Sequence, residues 1–196
     1  MKRTLFLLLF AAAMLVAPHA RATVMTLYVN LSGANEFPVN GSPATGFAQF
    51  ILDDVAKTLQ GHIEFSGLTG NTTAAHIHCC LPSSLQTGVN VGVATLVPAF
   101  PGFPLGVMSG VDDFLLDLNL ASSYNAGFIT AQGGLANAEA AFIAGLESGR
   151  TYLNIHSTTF GGGEIRGFVT PEPATMALFA LGLAAAGFAS RRRPRT

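Results

Sequence analysis

Alternation of apolar and polar residues dominates the chain. Met25, Leu27, Val29 and Leu31 alternate with Thr26, Tyr28 and Asn30. Leu59, Gly61, Ile63 and Phe65 alternate with Gln60, His62 and Glu64, and Phe114, Leu116, Leu118 and Leu120 with Leu115, Asp117 and Asn119. Successive side chains of a strand point to opposite faces, so each run predicts a strand with one buried face. Residues 47–52 predict a denser strand, 53–57 a turn and 89–97 another strand. Residues 136–146 break the rhythm with a helical composition that Gly149 ends. Residues 152–157 and 164–169 predict a hairpin around 159–163. Seven or eight short strands with one short helix predict a mainly-β fold. The expected form is an antiparallel β-sandwich, a Greek key among its topologies. The proline-rich piece 98–104 cannot be a central strand and is expected to pass over the sandwich edge.

Both ends of the chain depart from this pattern. Lys2 and Arg3 precede an apolar run, 5–16, that is shorter than the roughly 20 residues a membrane-spanning helix needs. Ala20-Arg21-Ala22 then offers a small-x-small cleavage pattern, so 1–22 is expected to be a secretory signal helix cut before Thr23. At the other end, Pro171-Glu172-Pro173 leads into an apolar helix and then Arg191-Arg192-Arg193. The expected transmembrane segment is 174–190. Its arginines should stay on the cytoplasmic side and leave the domain outside. This ending, 171–196, resembles the PEP-CTERM tail of certain bacterial proteins. The resemblance implies an exosortase and the secretion machinery as partners. It also implies an inner-membrane intermediate and a destination at the cell surface or in the extracellular matrix.

Charge reads differently once the ends are set aside. The whole chain carries a formal net charge of −1. Residues 23–170 keep only Lys57, Arg150 and Arg166 against ten acidic residues, leaving −7. Such a domain should repel nucleic acid and anionic membrane surfaces. Its 148 residues suit one domain with a real core. No GxxxxGK[ST], GxGxxG or GxSxG pattern occurs.

The candidate chemistry lies in the histidines. His76 and His78 flank Ile77, so an inward Ile77 would put both imidazoles on the opposite face. With Leu153 and Ile155 inward, Asn154 and His156 face the same way out. Pairing Ile155 with Ile165 would set His156 opposite Glu164 and Asn154 opposite Arg166. A carboxylate beside a histidine can fix its tautomer, as the outer shell of a metal site does. His76, His78 and His156 therefore form a candidate copper or zinc site, with Glu164, Asn154 and Arg166 as supporting residues. The blander alternative is a set of polar surface histidines bonded to their neighbours. His62, beside Glu64, is a weaker candidate. The adjacent Cys79 and Cys80 could add thiolate ligands. A disulfide between them would close a strained local turn and staple nothing across the fold.

The order of motifs carries a second resemblance. Leu31-Ser32-Gly33-Ala34-Asn35-Glu36-Phe37-Pro38 comes first, then Ala74-Ala75-His76-Ile77-His78. Gly149 to His156 and Gly163-Glu164-Ile165-Arg166-Gly167 come last. Together they resemble the chordin-type (CHRD) domain over nearly all of 23–170. In animal chordin such domains belong to a secreted growth-factor antagonist. The cysteine-rich modules that accompany them there have no counterpart in this sequence. The His-x-His segment is also similar to copper/zinc superoxide dismutase, but four histidines in 23–170 are too few for its two-metal site. The leading expectation is a non-catalytic surface or matrix domain that binds an extracellular polysaccharide or another surface protein. The alternative is a metal-binding or redox domain. A hydrolase built on His156 and Glu164 lacks a nucleophile, because the side chain of Ser157 should point to the other strand face.

Overall fold

The computed structural model describes residues 24–172. The expected signal segment 1–22, Pro173, the apolar segment 174–190 and Arg191-Arg192-Arg193 lie outside the described residues. Among the described residues, no helix is long and apolar enough to cross a membrane.

The strands are β1 (Val24–Ser32), β2 (Thr45–Asp53), β3 (Thr58–Ser66), β4 (Thr72–Cys79), β5 (Gly110–Asp117), β6 (Thr151–Ser157), β7 (Ile165–Phe168) and β8 (Thr170–Pro171). Two helices, α1 (Ala126–Gln132) and α2 (Leu135–Glu147), lie between β5 and β6. The fold is thus mainly β and antiparallel. Its hydrogen bonds trace one curled sheet in the order β4-β6-β7-β1-β2-β3-β5, with β8 also on β1. The expected pair of stacked sheets is not what this ladder shows.

Alternation places the core as the sequence implies. Leu27, Val29 and Leu31 of β1, Phe50 and Leu52 of β2, Ile63 of β3, Ile77 of β4 and Leu153 and Ile155 of β6 are all buried. Full burial of such a side chain contributes about 1.5–3 kcal/mol. Gly61 faces the same interior, where a Cβ would collide with the Phe114 ring.

The long β4–β5 connection closes the curl. Its backbone bonds to the outer edge of β4, through Ala75 N–H to the Pro98 carbonyl and Ala94 N–H to the Ile77 carbonyl. Phe100 then stacks on Phe114 of β5 at 4.3 Å between ring centroids, and Phe103 on Phe65 of β3 at 5.4 Å. The prolines therefore do cross an edge, as expected. The strand expected at 89–97 is replaced by isolated bridges, His78 with Val93 and Thr95 with Tyr124. This segment follows β4 only intermittently because Pro98 and its neighbours turn it towards β5.

The single helix expected at 136–146 is α2. It ends at Ser148, with Gly149 at φ +67°, in the left-handed region that glycine tolerates. The unexpected helix α1 is capped by Asn125, whose side chain accepts the Gly127 N–H, and is stopped by Gly133 at φ +79°. Phe142 and Leu146 of α2 are fully buried against the interior end of the sheet.

Candidate metal centre

Strands β4 and β6 pair with Ile77 opposite Leu153, His76 opposite Asn154 and His78 opposite Tyr152. Strand β7 follows with Asn154 opposite Arg166 and Ile155 opposite Ile165, the register expected from the hairpin. Because Ile77, Leu153 and Ile155 fill the interior, His76, His78, Asn154, Tyr152 and His156 share the other face. That face is not open to solvent. His76 is 5% exposed and His78 8%.

The three histidines meet. Ring centroids lie 4.9 Å apart for His76–His78 and 4.6 Å for His76–His156. Each residue offers one ring nitrogen, and those three atoms all lie within 4.8 Å of one another. A metal held at about 2.0–2.1 Å by imidazole nitrogens needs them about 3–4 Å apart, so small ring rotations suffice to close on an ion.

Hydrogen bonding orients two of the rings. His78 Nδ1 lies 2.7 Å from the Val91 carbonyl and His156 Nδ1 2.9 Å from the Gly161 carbonyl. A carbonyl only accepts, so each ring carries its proton on Nδ1 and leaves a lone pair on Nε2. His78 Nε2, His156 Nε2 and His76 Nδ1 are buried and have no hydrogen-bond partner. Burial, then His156 and His78, pulls His76 down to about 3, and burial pulls His78 down to about 4. Burial also lowers His156. The rings are therefore neutral imidazoles at neutral pH, the form that ligates metals. Orphaned nitrogens, neutral rings and second-nitrogen contacts to carbonyls together fit a bound metal.

The supporting residues behave differently from expectation. Arg166 is fully buried, and, with burial of the ring, its charge helps to lower His78. It donates to the Asn35 and Val89 carbonyls and to Asn90 Oδ1. Its guanidinium lies 4.4 Å over the Tyr152 ring, and Tyr152 stacks on His78. The expected His156–Glu164 contact is replaced. Strand β7 begins only at Ile165, so Glu164 lies in the turn. Its Oε1 accepts from Thr69 N–H, Thr69 Oγ1 and Ser42 Oγ. Burial works to raise this carboxyl, but bonds from Ser157, Thr69 and Ser42 outweigh it and hold the group below its ordinary value.

Cys79 and Cys80 form a disulfide with each other, and the peptide that joins them is cis. The Sγ of Cys80 lies 3.4 Å from the Ala141 carbonyl of α2. Cys79 shares its strand face with Ile77, opposite to the histidines, so the pair cannot join them as thiolate ligands. His62 is apart from the cluster and pairs with Asp113 at 2.8 Å. The Ser157 hydroxyl is buried and accepts the Phe160 N–H.

Glu36 is the residue that sequence reasoning passed over. It is 5% exposed, and its Oε1 has no partner. Burial pushes its carboxyl up to about 7 against the pull of Arg166. It lines a cleft of ≈ 330 Å³ with Asn90, Phe160 and Gly163. Its signal in the sequence is its place in the Leu31–Pro38 block that carries the CHRD resemblance, a segment that alternation leaves unassigned.

A family model described as the CHRD domain matches residues 27–169. This chain belongs to the CHRD family. A second model, the PEP-CTERM protein-sorting motif, matches residues 169–193. No curated protein and no solved structure matches the chain. The sorting motif implies an exported, sorted protein and is consistent with processing by an exosortase. The motif begins inside the CHRD fold. Pro171 pairs with Leu27 of β1, and the Glu172 N–H donates to the Thr26 carbonyl.

Proposed function

We propose that this is an exosortase-sorted surface protein whose CHRD domain is a non-catalytic metal-binding module. It holds one copper or zinc ion on His76, His78 and His156. The observation that carries the reading is the convergence of one ring nitrogen from each of three histidines on two strands, each ring also holding a buried nitrogen without a hydrogen-bond partner. Buried polar atoms without partners cost about 1–3 kcal/mol each, and a bound ion would remove that cost. His78 and His156 would be held in the ligating tautomer by the Val91 and Gly161 carbonyls. Bound metal would tie β4 to β6 beside the 158–163 turn, whose Gly161 carbonyl holds His156.

A purely adhesive or structural surface domain is the competing reading. The sorting motif supports both readings. Metal analysis of the protein purified after export separates them. About one equivalent of copper or zinc is expected, falling to background in the His76→Ala/His78→Ala/His156→Ala triple variant. A reconstituted protein holding far less than one equivalent of either metal leaves the structural reading.

A further inference from the structure

We infer that the ion this centre is built to hold is copper in the cuprous state, in preference to divalent copper or zinc. The inference rests on the metal-centre reading above and concerns charge and ligand number.

All three ligands are neutral imidazoles, so the ion's full charge stays on the site. The cost of burying an ion grows with the square of its charge, so a divalent ion costs about four times what a monovalent one does. His76 and His78 are 5% and 8% exposed, which leaves little water to offset that cost. The local field makes matters worse for a divalent ion. From β7, the buried guanidinium of Arg166 acts on His78 through the stacked Tyr152 ring.

No anion within the ligand group answers that charge. Glu164 stands outside the group of three, with its Oε1 bonded to Ser42 and Thr69, and Glu36 faces Arg166 rather than joining the histidines. The cysteine sulfurs are bonded to each other and face α2. Ligand number points the same way. Zinc takes four ligands, and a three-histidine zinc site completes its shell with water, which the 5% and 8% exposure of His76 and His78 disfavours. Divalent copper favours tetragonal arrangements. A monovalent, closed-shell copper ion is satisfied by three ligands in a plane, and three is the number of nitrogens that converge here.

The test uses the full-length protein. Affinity for cuprous copper is measured without oxygen against a chromophoric cuprous chelator. Affinities for cupric copper and zinc are measured against divalent-ion chelators. Cuprous copper is expected to bind at least about 100-fold more tightly than either divalent ion, all three being lost in the triple histidine variant. An Arg166→Met variant that keeps the native melting profile should narrow the gap by about 10-fold. If that variant does not fold, the wild-type ratio decides alone. Zinc or cupric copper binding as tightly as cuprous copper overturns this inference and leaves the metal centre standing. Failure of all three to bind overturns both.

Discussion

The ring of Tyr152 lies face to face with that of His78, with centroids 4.5 Å apart and planes 10° from parallel. The two residues are direct cross-strand partners. The Tyr152 hydroxyl reaches the Val91 backbone, whose carbonyl also holds His78 Nδ1. Tyr152 therefore fixes one candidate ligand both by stacking and by placing its carbonyl partner. Loss of such outer contacts typically costs 10–100-fold in metal affinity. Tyr152→Leu should weaken metal binding by about 10-fold, while Tyr152→Phe, which keeps the stack, should lose less. Chelator competition on both variants checks the order.

Glu36 makes stability depend on pH. Its carboxyl is raised from 4.5 to about 7 by burial, so the fold favours the protonated form. A group whose folded value is raised contributes stability that is present below its unfolded value and is lost as pH rises through its folded value. Its contribution should be full below about pH 4.5 and decline until about pH 7. Urea midpoints of the wild type and Glu36→Gln, compared across pH 4–8, should diverge through that window. Parallel curves would show that the carboxyl is not held out of water.

Gly163 sits at φ +130°, where a Cβ would also meet Asn154 and Glu36 Oε1 at 2.5–2.7 Å. Gly163→Ala combines a disfavoured backbone angle with crowding beside His156's turn. A loss of about 1–3 kcal/mol is expected, read by chemical denaturation. Gly161→Ala, with nothing within 4 Å of its Cβ, should be nearly neutral.

Phe100 joins the two edges of the curled sheet through its stack on Phe114. Phe100→Ala should cost about 3–5 kcal/mol. It should also raise hydrogen exchange of the Ala75 and Ala94 amides, which bond across the same connection. Unchanged exchange there would show that the connection docks on β4 independently of β5.

Much of this was readable in the chain, for identifiable reasons. Period-two alternation located β1, β3 and the buried face of β5, because each has one apolar face and one polar face. It also put His76, His78 and His156 together, because Ile77 and Ile155 left them one shared face. Burial of that face was not readable. The segments that cover it, 33–40, 89–93 and 160–163, lack a hydrophobic period and are held by single bonds from distant side chains, such as Arg166 to Asn35 and Val89 and Asn40 to Gly163, which no local pattern announces. For the same reason the sequence does not mark the burial of Glu36, nor that Glu164 turns to Ser42 and Thr69 instead of His156. Helix α1 is short and has Gly127 and Thr130 in place of strong helix formers, so only its Asn125 cap marked it. Nearness in sequence suggests the cysteines as ligands, but strand parity sends Cys79 to the Ile77 face.

If His76, His78 and His156 ligate one ion, the ion itself can be located between their rings. The most direct measurement is a crystal structure of the metal-loaded protein with anomalous data at the metal edge. One anomalous peak is expected, about 2.0–2.1 Å from one ring nitrogen of each of the three histidines. A peak elsewhere, or none between these rings in protein that carries metal, would contradict the account.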